Sequence, residues 1–200
     1  MPSILCYLSV QEGRIKRSSL EAMSRAREVA SEHGMSLDAV VLGSQANGLA
    51  MSAMAYGASR VFTISDPIFD SHLNAPLLSG LAAVMDAAQP RLVVAASTEA
   101  VKDVLGALAV RCDAAVLPDV ASFDLQGDRV VCERPVMAAK KLAATYSDHS
   151  LVFVSVRSGS YEASEAPVEG STEAVSFSFD DATLGLTLKE IVQTAGDTGD

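Results

Sequence analysis

The chain is expected to fold as an α/β protein, a doubly wound and mostly parallel sheet with an added antiparallel β ribbon. Two observations predict this. Across residues 4–117, apolar runs at 4–10, 37–42, 60–64 and 91–96 are each followed by a stretch with helical spacing, and a short fifth run closes the series at 114–117. Repeated strand-then-helix units argue a parallel sheet covered on both faces. Across residues 129–163 the pattern changes to consecutive strands with no helix between them, at 129–136, 142–146 and 151–156, which therefore pair through short turns.

Taken in order, strand one at 4–10 leads through a polar loop at 11–17 to Ser18 and Glu21, spaced as a capping box at a helix start. Ala22, Met23, Ala26, Val29 and Ala30 then form one apolar face, Arg25, Arg27, Glu28 and Glu32 the solvent face, and Gly34 is placed for a left-handed stop after His33. Strand two at 37–42 is followed by a loop from Gly43 to Gly48 and a short helix at 49–56 closed by Gly57. Strand three at 60–64 stops at the turn residues Asp66 and Pro67. A third helix opens near Asn74, tolerates Pro76 in its first turn and runs to about Ala88. Strand four and a helix at 99–111 follow, then the short strand at 114–117. Gln126, Gly127 and Asp128 make a hairpin turn between 121–125 and 129–136. Residues 158–173 read as a surface loop, the alternation of Val175, Phe177 and Phe179 with serines as a half-buried strand, 186–192 as a further element and 194–200 as linker.

Two hundred residues, 49% of them hydrophobic, suffice for one substantial core. Aromatics make up 5% with no Trp, little material for stacking bases, and the net charge is −10, so nucleic acid is not expected as a partner. Residues 161–200 hold nine acids and one base, a net of −8, which leaves −2 for the first 160 and reads as a solvated acidic edge and tail. Cys6, Cys112 and Cys132 are odd in number and sit in apolar contexts, as buried thiols of a reducing compartment do. No window reaches about 18 uninterrupted apolar residues and strand one begins at once, so an untargeted cytoplasmic protein with no membrane partner is expected.

Ligands of open α/β sheets bind beyond the carboxyl ends of the strands. The loops there are 9–13, 43–48 and 97–99, and Gly43, Ser44, Ser97, Thr98 and Glu99 are the residues that would touch a cofactor. None carries a glycine-rich phosphate signature. Glycine turning the chain and a helix cap at Thr98 are the plainer readings. His33, His72 and His149 are dispersed and read as structural; no catalytic residues and no metal site emerge. Arg134, Met137, Lys140 and Lys141 in the ribbon are the candidate partner contacts, the cations toward an anionic group or a partner's carboxylates; solvated ribbon charge is the plainer reading.

Ile4 to Leu8, Gly13 to Lys16, Ser18 to Ala22, Ala55 to Ala58, Arg134 to Ala138 and Val154 to Ala163, in this order and spacing, resemble the N-terminal domain of the electron transfer flavoprotein alpha subunit over essentially the whole chain. The resemblance implies an adenine nucleotide alpha hydrolase-like fold acting as scaffold and subunit interface. It also implies a parent protein that carries electrons from flavin dehydrogenases, such as those oxidising acyl-CoA, to a quinone oxidoreductase of the respiratory chain. Its partner would be a beta subunit. FAD would lie chiefly in a second alpha-subunit domain that these residues do not contain, so no cofactor is expected for this chain alone and the chain is a carrier subunit rather than an enzyme. The implied domain is 1–193, with 194–200 beginning the linker, and the chain is either an excised fragment or a natural short form. Gly106 and Ala107 stand where the family commonly has Pro-Arg, and Ala138 and Ala139 where it has Ala-Gly. The alternative function is a stand-alone adenine-nucleotide-binding domain of universal-stress type, whose glycine-spaced phosphate signature residues 97–107 lack. A nucleotide-dependent hydrolase or ligase would want a phosphate loop that 11–13 does not provide.

Overall fold

The computed structural model describes residues 2–71, 73–180 and 184. The expected element at 186–192, the linker at 194–200 and His72 lie outside these residues. In chain order the elements are β1 (Ser3–Leu8), β2 (Val10–Gln11), β3 (Arg14–Ile15), α1 (Arg17–Glu32), β4 (Ser36–Leu42), α2 (Ala46–Ala55), β5 (Arg60–Ile64), a 3-10 turn (Pro67–Ser71), α3 (Asn74–Ala88), β6 (Leu92–Ala96) and α4 (Glu99–Cys112). Then come β7 (Ala115–Val120), β8 (Ser122–Gln126), β9 (Arg129–Val136), β10 (Lys141–Ser147), β11 (Val152–Val156) and β12 (Ser171–Ala174). The main sheet has seven strands in the order β12-β5-β4-β1-β6-β11-β7, every pairing parallel. β8, β9 and β10 form a separate three-stranded antiparallel ribbon.

Alternate residues of the buried strands serve two cores. Ile4, Cys6, Ala39, Val41 and Val94 meet α1 and α2 on one face, while Leu5, Val40, Phe62, Val93 and Phe153 meet α3 and α4 on the other. Such two-sided burial is what continuous apolar runs require. Phe123, Leu125, Val130 and Cys132 of the ribbon belong to the α1 core. The ribbon therefore covers the part of that face that α1 and α2 leave open.

The run at 151–156 corrects the expectation. β11 is not a ribbon strand but enters the main sheet between β6 and β7, with all five residues buried. Its composition explains this: Val-Phe-Val-Ser-Val is apolar on both faces, whereas β10 alternates and is exposed along most of its length. A parallel crossover needs a dozen or more residues, usually a helix. Here the ribbon itself is the crossover from β7 to β11.

Other local readings are also revised. The capping box does not form: α1 starts at Arg17 with Lys16 as N-cap and no side-chain cap. Ser19 Oγ accepts instead from the Ser9 amide at 3.1 Å, and the buried Glu21 carboxylate accepts from the Gly159 amide at 2.9 Å. The helix thus begins ahead of Ser18, which lies in its first turn, and Glu21 is turned to Gly159 rather than to a cap. Arg25 is not on a solvent face, since its guanidinium lies on Phe123 and Tyr161 and donates to the Phe123 carbonyl. Arg27 donates to the carbonyls of Tyr56 and Ser164. α2 begins at Ala46, which puts Gly48 in a helix rather than a loop. Residues 158–170 form a strap across α1 and α2, with Val168 N–H donating to the Met54 carbonyl at 3.1 Å, and deliver β12 to the edge of β5. The strand is thus 171–174, almost wholly inside the expected loop, while Val175, whose amide donates to the Thr63 carbonyl at 2.9 Å, Phe177 and Phe179 keep the expected alternation of burial beyond it.

At the ribbon tip Met137, Ala138 and Ala139 have φ of 53°, 55° and 62°. This left-handed backbone costs an alanine about 1 kcal/mol or more. Ala139→Gly should therefore stabilise the ribbon by about 0.5–1 kcal/mol, raising hydrogen-exchange protection of the β9 and β10 amides by about two- to fivefold. Unchanged or weaker protection would show that the tip is not strained.

Candidate functional site

Strand order reverses between β1 and β6, so the ligand crevice of this fold class lies over the carboxyl ends of those strands. Local chemistry closes each loop that borders it. After β1 the chain turns at once through Glu12 and Gly13, both left-handed (φ 51° and 72°), into the small hairpin β2–β3. The Lys16 amide returns to the Ser9 carbonyl at 2.8 Å. After β4, Gly43 is left-handed (φ 142°), and Asp70 Oδ1 accepts from the Ser44 amide at 3.1 Å. A carboxylate thus occupies the amide that a phosphate would seek, and its charge opposes a second anion there.

After β6, the Ser97 amide donates to the Val156 carbonyl at 2.7 Å, and Thr98 caps α4 by accepting from the Val101 amide at 3.3 Å. This is the helix cap read from the sequence. Glu99 pairs with Lys102 at 2.9 Å. Beside them the chain carries a second constrained point. Asp119 is left-handed (φ 54°), its amide donates to Ser155 Oγ at 2.9 Å, and the β7–β11 register shifts between Val154 and Val156. Arg157 reaches Asp119 Oδ2 at 2.9 Å and holds that carboxyl below its ordinary range. Lys102 and Arg157 at this end are therefore each paired with an acid. Sequence reasoning missed Asp119 and Arg157, whose only signal was a Pro-Asp turn and a post-strand arginine.

The weak cofactor candidates Gly43, Ser44, Ser97, Thr98 and Glu99 thus share one end of the sheet and serve turns, caps and ion pairs there. Neighbouring reactive groups are quiet. Burial, reinforced by the Asp38 charge, pushes the Cys6 thiol well up, so it stays protonated. Burial also pushes Tyr7 up to about 12. An apolar void of about 20 Å³ beneath Tyr7, lined by Leu5, Val93, Val104 and Leu108, and a cleft of about 200 Å³ between Gln89, Arg111 and Cys112 both fall below the roughly 300–1,000 Å³ of a ligand pocket.

Glu32, His33 and Asp124 place three ligand atoms within 4.8 Å of one another. Arg25 already sits among them, 3.4 Å from Asp124 and 4.0 Å from Glu32, so a divalent cation would have to displace it. His33 is at the α1 C-terminus, as expected, and His149 Nδ1 lies 3.2 Å from the Leu151 carbonyl.

The ribbon is different. β9–β10 pairing sets Arg134 opposite Ala143 and Val136 opposite Lys141 on the core-facing side, and Pro135 opposite Leu142 and Val131 opposite Tyr146 on the outer side. Met137, Lys140 and Lys141 are exposed at the tip, and the Arg134 Nε is buried with no hydrogen-bond partner among the described residues. Leu142 and Tyr146, 61% and 57% exposed, add an outer apolar stripe that sequence reasoning did not single out, although the period-two pattern of β10 carries it.

Fold and site together define a doubly wound α/β scaffold whose strand-end loops are held by turns, a helix cap and ion pairs, and which carries a basic arm. The chain belongs to the electron transfer flavoprotein domain family, whose model matches residues 4–182. It is 24% identical over 190 residues to the electron transfer flavoprotein subunit alpha of Bacillus subtilis, covering 94% of this chain and 57% of the relative. With the subunit alpha of Mycobacterium leprae the identity is 27% over 178 residues, 88% of this chain and 53% of the relative. With Protein FixB of Bradyrhizobium diazoefficiens it is 22% over 145 residues, 70% and 39%. The chain spans little more than half the length of the curated relatives it matches along most of its own.

Proposed function

We propose that these residues are the scaffold and subunit-interface domain of an alpha-type electron transfer flavoprotein, with the domain spanning 1–193 and the linker beginning at 194. The family match over residues 4–182 carries the reading. In it, the parent complex takes electrons from flavin dehydrogenases, such as acyl-CoA dehydrogenases, and passes them to a quinone oxidoreductase of the respiratory chain. A beta subunit is the immediate partner, FAD is held through a further alpha-subunit domain, and the complex works in the cytoplasm. No helix among the described residues is long and apolar enough to cross a membrane.

The geometry supports a bridging role. After β12 the chain runs along the β5 edge, where Phe177 packs on Phe69 with ring centroids 5.0 Å apart. The ribbon follows β7 at the other edge, six inter-strand spacings or about 29 Å away. Residues 175–180 thus lie toward one edge of the sheet and the ribbon, as the partner-engaging arm, at the other. Co-expression with a beta-type subunit from the same genome tests this. Co-elution of the two chains on size exclusion is expected, and separate elution would refute the reading.

A further inference from the structure

We infer that the distal ribbon is an arm that inserts into an acidic cleft of the beta-type partner, a deepening that rests on the function proposed above. The first support is charge. The chain carries −10 overall, yet residues 129–147 hold Arg129, Arg134, Lys140 and Lys141 against the single acid Glu133, a net of +3. Whole copies of the chain repel one another through their net negative charge, while the basic arm is itself drawn to an acidic surface.

The second support is an unmet valence. Arg134 lies on the core-facing side of β9, half-buried, with Nε shielded from water and no partner among the described residues. A shielded Nε–H without an acceptor is unfavourable until a carboxylate or carbonyl reaches it. Arg157, by contrast, is satisfied by Asp119 and Arg60 by Asp38; Arg91 Nη1 is also buried without a partner, but its Nη2 donates to the Asp128 carbonyl at 2.6 Å.

The third support is that both faces are left incomplete. Leu142 and Tyr146 are exposed on the outer side, Arg134 and Lys141 belong to the inner side, and Met137, 67% exposed, leads the tip. A flat docking surface would satisfy one side. A cleft satisfies both, taking apolar contacts from Met137 and Leu142 and presenting carboxylates to Arg134, Lys140 and Lys141. The lysines also keep the free edge of β10 from pairing with another strand before assembly.

The test uses the co-expressed complex with the beta-type subunit and reads its Kd against ionic strength. Affinity is expected to fall as salt rises. Lys140→Glu combined with Lys141→Glu should weaken it at least tenfold, and Arg134→Gln should do so with a far-UV spectrum and melting curve like those of the parent chain. Arg14→Glu combined with Lys16→Glu makes the same change of total charge at the β2–β3 hairpin and should leave the Kd unchanged. A complex that forms normally but ignores salt and all arm variants overturns the arm while the function stands. Equal weakening by both double variants overturns it too, by showing that only total charge matters. Failure of the unaltered chains to associate refutes the function instead.

Discussion

Phe153→Ala is expected to lower the unfolding free energy by about 4 kcal/mol, the usual cost of emptying a fully buried aromatic site. Phe153 is wholly buried in β11, paired in register with Val93 of β6 and Val116 of β7, and faces the α3–α4 core. The cavity would open where two helices and three strands meet, leaving no exposed segment free to collapse into it. Tyr146→Ala, on the outer ribbon, should cost less than about 1 kcal/mol in the isolated chain. Urea denaturation followed by circular dichroism separates the two. If Phe153→Ala cost no more than Tyr146→Ala, β11 would not be a central strand.

Arg60→Met is expected to cost about 3 kcal/mol, because it strands a charge rather than removing a contact. Asp38 is 1% exposed at the start of the buried run of β4, and its Oδ2 accepts from Arg60 at 2.7 Å across the β4–β5 pair. That hydrogen bond holds the guanidinium above its already high range, and Glu173 of β12 adds a weaker contact at 3.9 Å. With Met in place of Arg, the carboxylate must stay buried and unpaired or take up a proton. Pairing the substitution with Asp38→Asn removes the stranded charge and should recover at least half of the loss. A double variant as unstable as the sum of the single ones would show that the two side chains act independently.

Much of the fold was legible because its signals are local. β5 and α3 occupy the residues expected of them, since an apolar run ending in Ser-Asp-Pro and a helix opening at Asn74 need no tertiary information. The Thr98 cap and the Gly127 hairpin turn were legible for the same reason. Strand order was not. The run that became β11 reads equally as a hairpin strand or a sheet strand until its two apolar faces find partners in β6 and β7. Glu21 and Arg25 were misplaced because their partners, Gly159 and Phe123, lie 138 and 98 residues away. In the candidate site, the charge and exposure of the arm could be read from the sequence. The neutralising pairs Lys102–Glu99 and Arg157–Asp119, and the Asp70 carboxylate on the Ser44 amide, depend on strands brought together only by the fold.

The central claim is that this domain supports flavin chemistry without housing the flavin. The absorbance spectrum of the purified chain, compared with that of a complex containing the beta-type subunit and a following FAD-binding domain, tests it most directly. The isolated chain should be colourless and the complex yellow, with the absorption bands of bound FAD. Stoichiometric flavin bands in the isolated chain would contradict the account.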